Sequence, residues 1–508
     1  MNPNSTPATP DGTDVMGAES ATPTAPTGGA TPTSPATTPT GDNRPSQEID
    51  GARPAPADRR PRWIGTRPPR LGEVSTGFQQ WIAQGWGERD VAAPVDAAAA
   101  QAAADHRARL SAAMPGQTIV LEAGQAPNRN GDADYAFRAD SDFVWATSCQ
   151  TEGAVLVMTP REGGHESVLY IPPPAGPSEK NFYASATHGE LWVGPSAGVD
   201  AWSRALDLPV RPVADIHKPA PSDGLAEIVS NLRMIKDDWE LAQLREAIDA
   251  TVGGFEAVAA EIPRASAEGL GERWLQGTFD RYARTFGNGP GYATIVGSGP
   301  HAPILHWVRC DGPILPGETL LLDMGVEARS LYTADVTRTL PVGGAFTEVQ
   351  RKVHDLVEAS HRAGMAQVRA GNQYSDFHFA SLEVLAEGLH DWGLLPVSVD
   401  EALAPEGQQH RRYIVCGIGH HLGLDVHDCG NSAYEQYAGA TMQADMVMTV
   451  EPGLYFHAHD ETVPPELRGI GVRIEDDLLV TENGHEVLSG ALPIDAAGLE
   501  RWTQEKTR

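Results

Sequence analysis

Four carboxylates stand where an ionised side chain is expensive. Asp323 follows three leucines in TLLLDMG, and Asp335 opens the Val-x-Thr alternation of ADVTRTL. Glu451 ends the apolar run MTVE, and Glu475 lies among Val, Ile and Leu in VRIEDDLLV. A charge facing a core from a strand is costly unless a counter-charge meets it. One such acid reads as a strand-end residue turned to water; four in four strand-like runs point to a shared cation. The segment CGIGHHLGLDVHD, from Cys416 to Asp428, adds His420, His421 and His427 among glycines that let backbone approach a ligand closely. One imidazole among several carboxylate oxygens suits manganese, cobalt, zinc or iron over magnesium or calcium. Asp323, Asp335, His420, Glu451 and Glu475 oversupply a single ion, whereas two ions sharing two bridging carboxylates use all five. Such a pair ionises a bridging water near neutral pH, polarises a scissile carbonyl and holds a substrate amine, so the chemistry expected is amide hydrolysis.

The elements that must carry these residues follow from periodicity. The runs ETLLLDMG, DVTRTLPVG, DMVMTVEPGLYF and GVRIEDDLLVT read as strands. Leu241, Leu244, Ile248, Phe255 and Val258 recur at three, four and seven, as on one face of a long helix. Val349, Val353, Leu356 and Ser360 form a second such face, and Phe379, Leu382 and Leu389 a third. Upstream, a helical pattern from Asp105 through Leu110 to Met114 stops at Pro115 and Gly116. The short runs TIVLEAG, FVWATS, AVLVMTP and SVLYIPPP then read as strands of an α/β domain. The stretch RPVADIHKPAPSDG marks a boundary. The expected organisation is a disordered tail over 1–70, an α/β domain over 71–224, a mixed α+β domain over 225–502 and a short tail over 503–508.

The bulk numbers fit this division. A chain of 508 residues with 41% hydrophobic content supplies two cores. Residues 1–70 balance acid against base, so the formal net charge of −30 belongs to the remainder and argues against nucleic acid or an anionic membrane as partner. Cys149, Cys310, Cys416 and Cys429 form no C-x-x-C pair and no disulfide framework. No apolar run reaches the length of a membrane span and the first 60 residues lack a signal-peptide core, so a cytoplasmic location is expected.

The motifs LLDMG, ADVTRTLPV, GIGHHLGLDVHD, TVEPGLYF and GVRIEDD, in this order and spacing, resemble the ligand signature of the pita-bread metallopeptidases, the family of methionine aminopeptidase, prolidase and aminopeptidase P. SNLRMIKDDWELAQLREAID resembles the opening helix of that catalytic domain, and TIVGSGPHAPILHW its substrate-facing loop. NRNGDADYAFRADSDFVWATSCQTEGAVLVMTP resembles the aminopeptidase P N-terminal domain, which methionine aminopeptidases lack. The resemblance implies an α/β N-terminal domain followed by an α+β pita-bread catalytic domain. It implies two divalent ions, of manganese, with Asp335 and Glu475 bridging, Asp323 on one ion, and His420 with Glu451 on the other. Glu451 would act as general base, His306 would assist the tetrahedral intermediate or leaving group, and His427 would contact substrate or shuttle a proton. Arg473 would orient the carboxylates and Tyr455 would wall the proline site. It also implies a homo-oligomer, dimer or tetramer, acting on peptides with proline second.

Cys416 stands where the family commonly has histidine, and the turn within VEARSLYTA is one residue longer than in some relatives. His421 is expected behind the metal ligand or facing solvent. The rival readings are prolidase, restricted to Xaa-Pro dipeptides; creatinase, which needs no metal and is disfavoured by the full ligand set; and a non-catalytic pita-bread binding protein.

Overall fold

The N-terminal domain is a helix-covered sheet whose strands come from the expected apolar runs. Strands Ile119–Glu122, Val155–Arg161, Gly164–Ile171 and Val210–Pro212 pair in that order, the last of them parallel. The helix before them, Ala97–Ala113, begins upstream of Asp105. Asp96 caps it through Ala99 N at 2.8 Å, and the alanine-rich sequence after the cap has the strongest helix propensity of any residue type. FVWATS, expected as a strand, lies within the helix Ser141–Thr147. A short continuous apolar run suits a buried strand or a buried helix equally. The carboxylate of Asp140 decides it by accepting from the amides of Asp142 and Phe143.

This computed structural model describes residues 74–87 and 89–508, and the tail expected over 1–70 lies outside them. The C-terminal half repeats one plan, a helix pair laid over an antiparallel sheet. Helices Asp238–Ala267 and Gly271–Phe286 bury Phe255, Val258, Leu275 and Phe279 against the sheet Ile295–Ser298, Thr319–Met324 and Val336–Pro341. Helices Glu348–Met365 and Asp376–Asp391 bury Val353, Val357, Leu385 and Leu389 against strands Val447–Val450 and Asp476–Thr481. Phe379, expected on that buried face, is 63% exposed. At 100° per residue it falls outside the arc set by Phe377, Leu382, Leu385 and Leu389. The chain end expected as a tail from 503 is helical to Lys506, where Thr503 is buried and Trp502 packs on the core.

The two halves of the chain meet at His106. Its ring stacks on Trp145 with centroids 4.4 Å apart, donates through Nδ1 to Trp145 O (2.7 Å), and reaches Asp237 Oδ2 at 2.9 Å. Asp237 and Glu240 form the capping box of the helix Asp238–Ala267. Burial opposes the imidazolium, but hydrogen bonds to Asp237 and Glu240 prevail and raise its pKa to about 9. A raised histidine contributes stability in full below its unfolded pKa of about 6.5 and loses it as pH rises through the folded value. His106→Gln is therefore expected to cost up to about 3 kcal/mol near pH 6. Thermal unfolding of both proteins from pH 6 to 10 should show the gap closing with rising pH; a pH-independent gap refutes the ion pair.

Candidate active site

The nine residues given metal, catalytic or substrate roles in the sequence line one cavity of about 740 Å³ between the two half-sheets, and His421 does not. Asp323 lies in the strand Thr319–Met324, opposite Thr337 in register. Asp335 stands one residue before the strand Val336–Pro341, and Glu475 bridges from the other half to Thr337. Glu451 follows Val447–Val450 directly, and its amide donates to Ile418 O at 2.7 Å, which draws the glycine segment alongside. A Cβ on Gly419 would collide with Thr449 O, so only glycine lets His420 come this close to that strand.

Ligand atoms of Asp323, Asp335 and Glu475 lie within 4.8 Å of one another, and so do those of His420, Glu451 and Glu475. A third group of the same tightness joins Asp335, His420 and His427. Glu475 and Asp335 thus each belong to two groups. His420 Nδ1 faces His421 O at 3.0 Å, which fixes that nitrogen as the donor and turns Nε2 toward Asp335 (3.4 Å) and Glu451 (3.6 Å).

These residues fit divalent cations and are ill-suited to one another without them. Burial drives the Glu475 carboxyl well above its ordinary range, and Asp335 and Glu451 push it further. Among the described residues its Oε1 has no hydrogen-bond partner. Burial also lifts Glu451 to about 7, against the attraction of His420 and with the repulsion of Asp335. Asp323 is raised by burial although Arg473 counters it. A buried cluster of acids with an orphaned oxygen is what bound cations relieve.

The remaining expected residues fall around this cluster. Arg473 donates through Nη2 to Asp323, through Nε to Thr337 Oγ1 (3.1 Å) and through Nη1 to Tyr455 OH (3.0 Å). Tyr455 is buried with its ring on the cavity wall. His306 and His427 are exposed, and His427 lies edge-on to His420 with centroids 4.2 Å apart. Cys416 is half-buried on the wall, and burial holds its thiol at about 11, hence neutral. His421 does not face solvent: it is buried, stacked on Tyr374 at 4.9 Å, and burial lowers it to about 3. The hairpin within VEARSLYTA turns through Leu331, whose φ is 73°.

Several residues absent from the sequence reading complete the site. Tyr292 OH lies 2.6 Å from both Asp323 Oδ1 and Asp335 Oδ1. Thr337 Oγ1 donates to Glu475 Oε2 at 2.7 Å, and Asp477 accepts the Asp335 amide at 3.2 Å. Glu272, fully buried, gathers the loop bearing His306 by accepting from Ser298 N, His301 Nδ1, Trp307 Nε1 and Gly312 N at 2.7–2.8 Å. The adjacent pair DD after Glu475 and the aromatic before ATIVGSG were visible signals for Asp477 and Tyr292. Nothing in the sequence pointed to Glu272.

Residues 242–482 match the model of metallopeptidase family M24, and residues 103–224 match the aminopeptidase P N-terminal domain. The chain is 44% identical over 457 residues to Xaa-Pro aminopeptidase 2 of Streptomyces coelicolor, covering 84% of this chain and 96% of that protein. It is 30% identical over 424 residues to the Xaa-Pro aminopeptidase of Escherichia coli, covering 75% and 92%. Among solved structures, an aspartate-to-alanine variant of E. coli aminopeptidase P superposes with a TM-score of 0.71 at 28% identity, over 80% of this chain and 99% of that one. A zinc-substituted E. coli aminopeptidase P in complex with product gives 0.70 at 27% identity, over 80% and 99%.

Proposed function

The chain belongs to metallopeptidase family M24, in its aminopeptidase P branch, and is a metallo-exopeptidase; from this premise we propose that it hydrolyses Xaa-Pro bonds, releasing the N-terminal residue from peptides with proline second. The observation that carries the reading is the overlap of three donor groups: Glu475 joins Asp323 and Asp335 in one and His420 and Glu451 in another, and Asp335 also joins His420 and His427. Asp335 and Glu475 would hold both of two manganese ions, Asp323 one, and His420 and Glu451 the other. Two such ions supply Lewis acidity to the scissile carbonyl and bring a water's pKa near neutrality.

The chain's own residues do the rest. Glu451, on the cavity wall beside His420, accepts the proton that the attacking water loses. His306, held out over the cavity by the Glu272 loop, donates to the developing oxyanion or the leaving nitrogen. His427 contacts substrate and carries a proton to or from solvent. Arg473 keeps the Asp323 carboxylate aimed, favours its ionised form against burial, and ties it to Tyr455. A prolyl amide has no N–H, so its ring needs an apolar wall rather than an acceptor, and the Tyr455 ring supplies one. We further place the enzyme in the cytoplasm as a homo-oligomer, dimer or tetramer. Its four cysteines are unpaired, and no described helix is long and apolar enough to cross a membrane.

Turnover of Arg-Pro-Pro against Gly-Pro tests the proposal. Release of arginine from the tripeptide is expected, abolished by chelation and restored by manganese. Hydrolysis confined to the dipeptide makes the protein a prolidase. A metal-loaded sample that cleaves no Xaa-Pro bond leaves only the binding-protein reading.

A further inference from the structure

His427 projects into the cavity from a loop, and among the described residues no side-chain hydrogen bond holds its ring. Its position therefore follows the backbone of residues 424–429. That backbone is fastened in part from the N-terminal domain. Arg138 Nη2 donates to Leu424 O at 2.5 Å, while its Nε reaches Glu327 on the hairpin between Asp323 and Asp335 at 2.6 Å. Ser141 Oγ donates to Asp425 Oδ1 at 2.6 Å. Asp142 accepts from Arg233 Nη1 at 2.5 Å, and Arg233 Nη2 then reaches Asp425 Oδ2 at 2.9 Å and the Asp428 carboxylate.

The geometry is over-determined on both sides of the imidazole. Asp425 lies two residues before His427 and Asp428 one after, and both are tied to Arg233. Lys236 holds the other Asp428 oxygen at 2.8 Å, and the Asp428 amide donates to His421 O at 2.9 Å. Asp428, Arg233 and Lys236 are buried. A side chain at Gly423 would run into both Asp428 and Lys236, so the loop is closed around this pair.

We infer that Arg138, Ser141 and Asp142 of the N-terminal domain, acting through Asp425 and Arg233, are positioning residues for His427 in the reaction. The inference rests on the role given to His427 under the proposed function. Misplacing a reacting group by about 1 Å costs up to roughly 10²-fold in rate without touching the chemistry. The N-terminal domain thus contributes to turnover from within the same chain, by aiming an imidazole that it does not itself carry.

Asp425 is the best probe, because its side chain is 43% exposed and its loss leaves no buried charge unpaired by itself. Asp425→Asn and Ser141→Ala are each expected to lower kcat/KM for an Xaa-Pro-Yaa peptide by about tenfold, chiefly in kcat. Bound metal per chain and the unfolding midpoint are expected to stay near wild type. In a His427→Ala background the same substitutions should add less than about twofold, because the group they aim is gone. Full additivity in that background, or unchanged kinetics in both single variants, overturns the inference while His427 keeps its role. Unchanged turnover in His427→Ala alone removes the role of His427 itself, and the inference falls with it.

Discussion

Glu451→Gln leaves an enzyme that still binds metal but turns over Xaa-Pro peptides about 10²- to 10⁴-fold more slowly, the range that a positioned proton acceptor contributes. The amide oxygen of glutamine remains a weak donor beside His420, and Asp323, Asp335 and Glu475 are untouched, so at least one ion per chain is retained. What disappears is the acceptor for the water's proton. The measurement pairs kcat with metal stoichiometry on the same sample. Turnover near that of the wild type removes Glu451 as the base, whereas metal-free protein shows that its main task is ligation. The pH profile adds a second readout, because a surviving profile of unchanged shape in the slow variant means that another group sets the limbs.

Asp428→Ala is expected to destabilise the fold by about 3–5 kcal/mol, because it strands Arg233 and Lys236 without their buried counter-charge. Burial alone would raise the Asp428 carboxyl, but Arg233 and Lys236 hold it well below the usual carboxylate range. A depressed acid contributes in full above its unfolded pKa of about 3.9 and loses that contribution only as pH falls toward the native value. The gap between wild type and variant should therefore be constant from neutral pH down to about 5 and narrow at lower pH. Denaturant unfolding at neutral pH and at a pH below the ordinary carboxylate range checks both statements. A cost below about 1 kcal/mol means that solvent or a neighbouring acid replaces Asp428 beside the two cations.

The carboxylate cluster was legible in the sequence because of a local contradiction. A carboxylate after three leucines, or between Ile474 and a Leu-Leu-Val run, conflicts with its own neighbours, and that conflict needs no tertiary information to detect. The long helices were legible for a related reason: Leu244, Ile248, Phe255 and Val258 repeat at the helical period within one element. Where an element was short, its neighbours in space settled it. FVWATS satisfies either period, and its helix follows from the Asp140 cap and from burial on nearly every side. Phe379 matched the helical spacing well enough to be counted, yet the buried face is set by what packs on the helix, and it turns Phe379 to solvent.

By itself the sequence pointed to the side chains that could hold a cation, to the strands that carry them and to the family, because each of those signals is held within a few consecutive residues. Tertiary structure alone decided what holds the binding residues in place. Tyr292 spans two aspartates from different strands, and Glu272 collects donors up to 40 residues away. Asp428 finds Arg233 across 195 residues. A buried polar side chain is compatible with any complementary partner, so its pairing is written in no local pattern and exists only once the chain has closed.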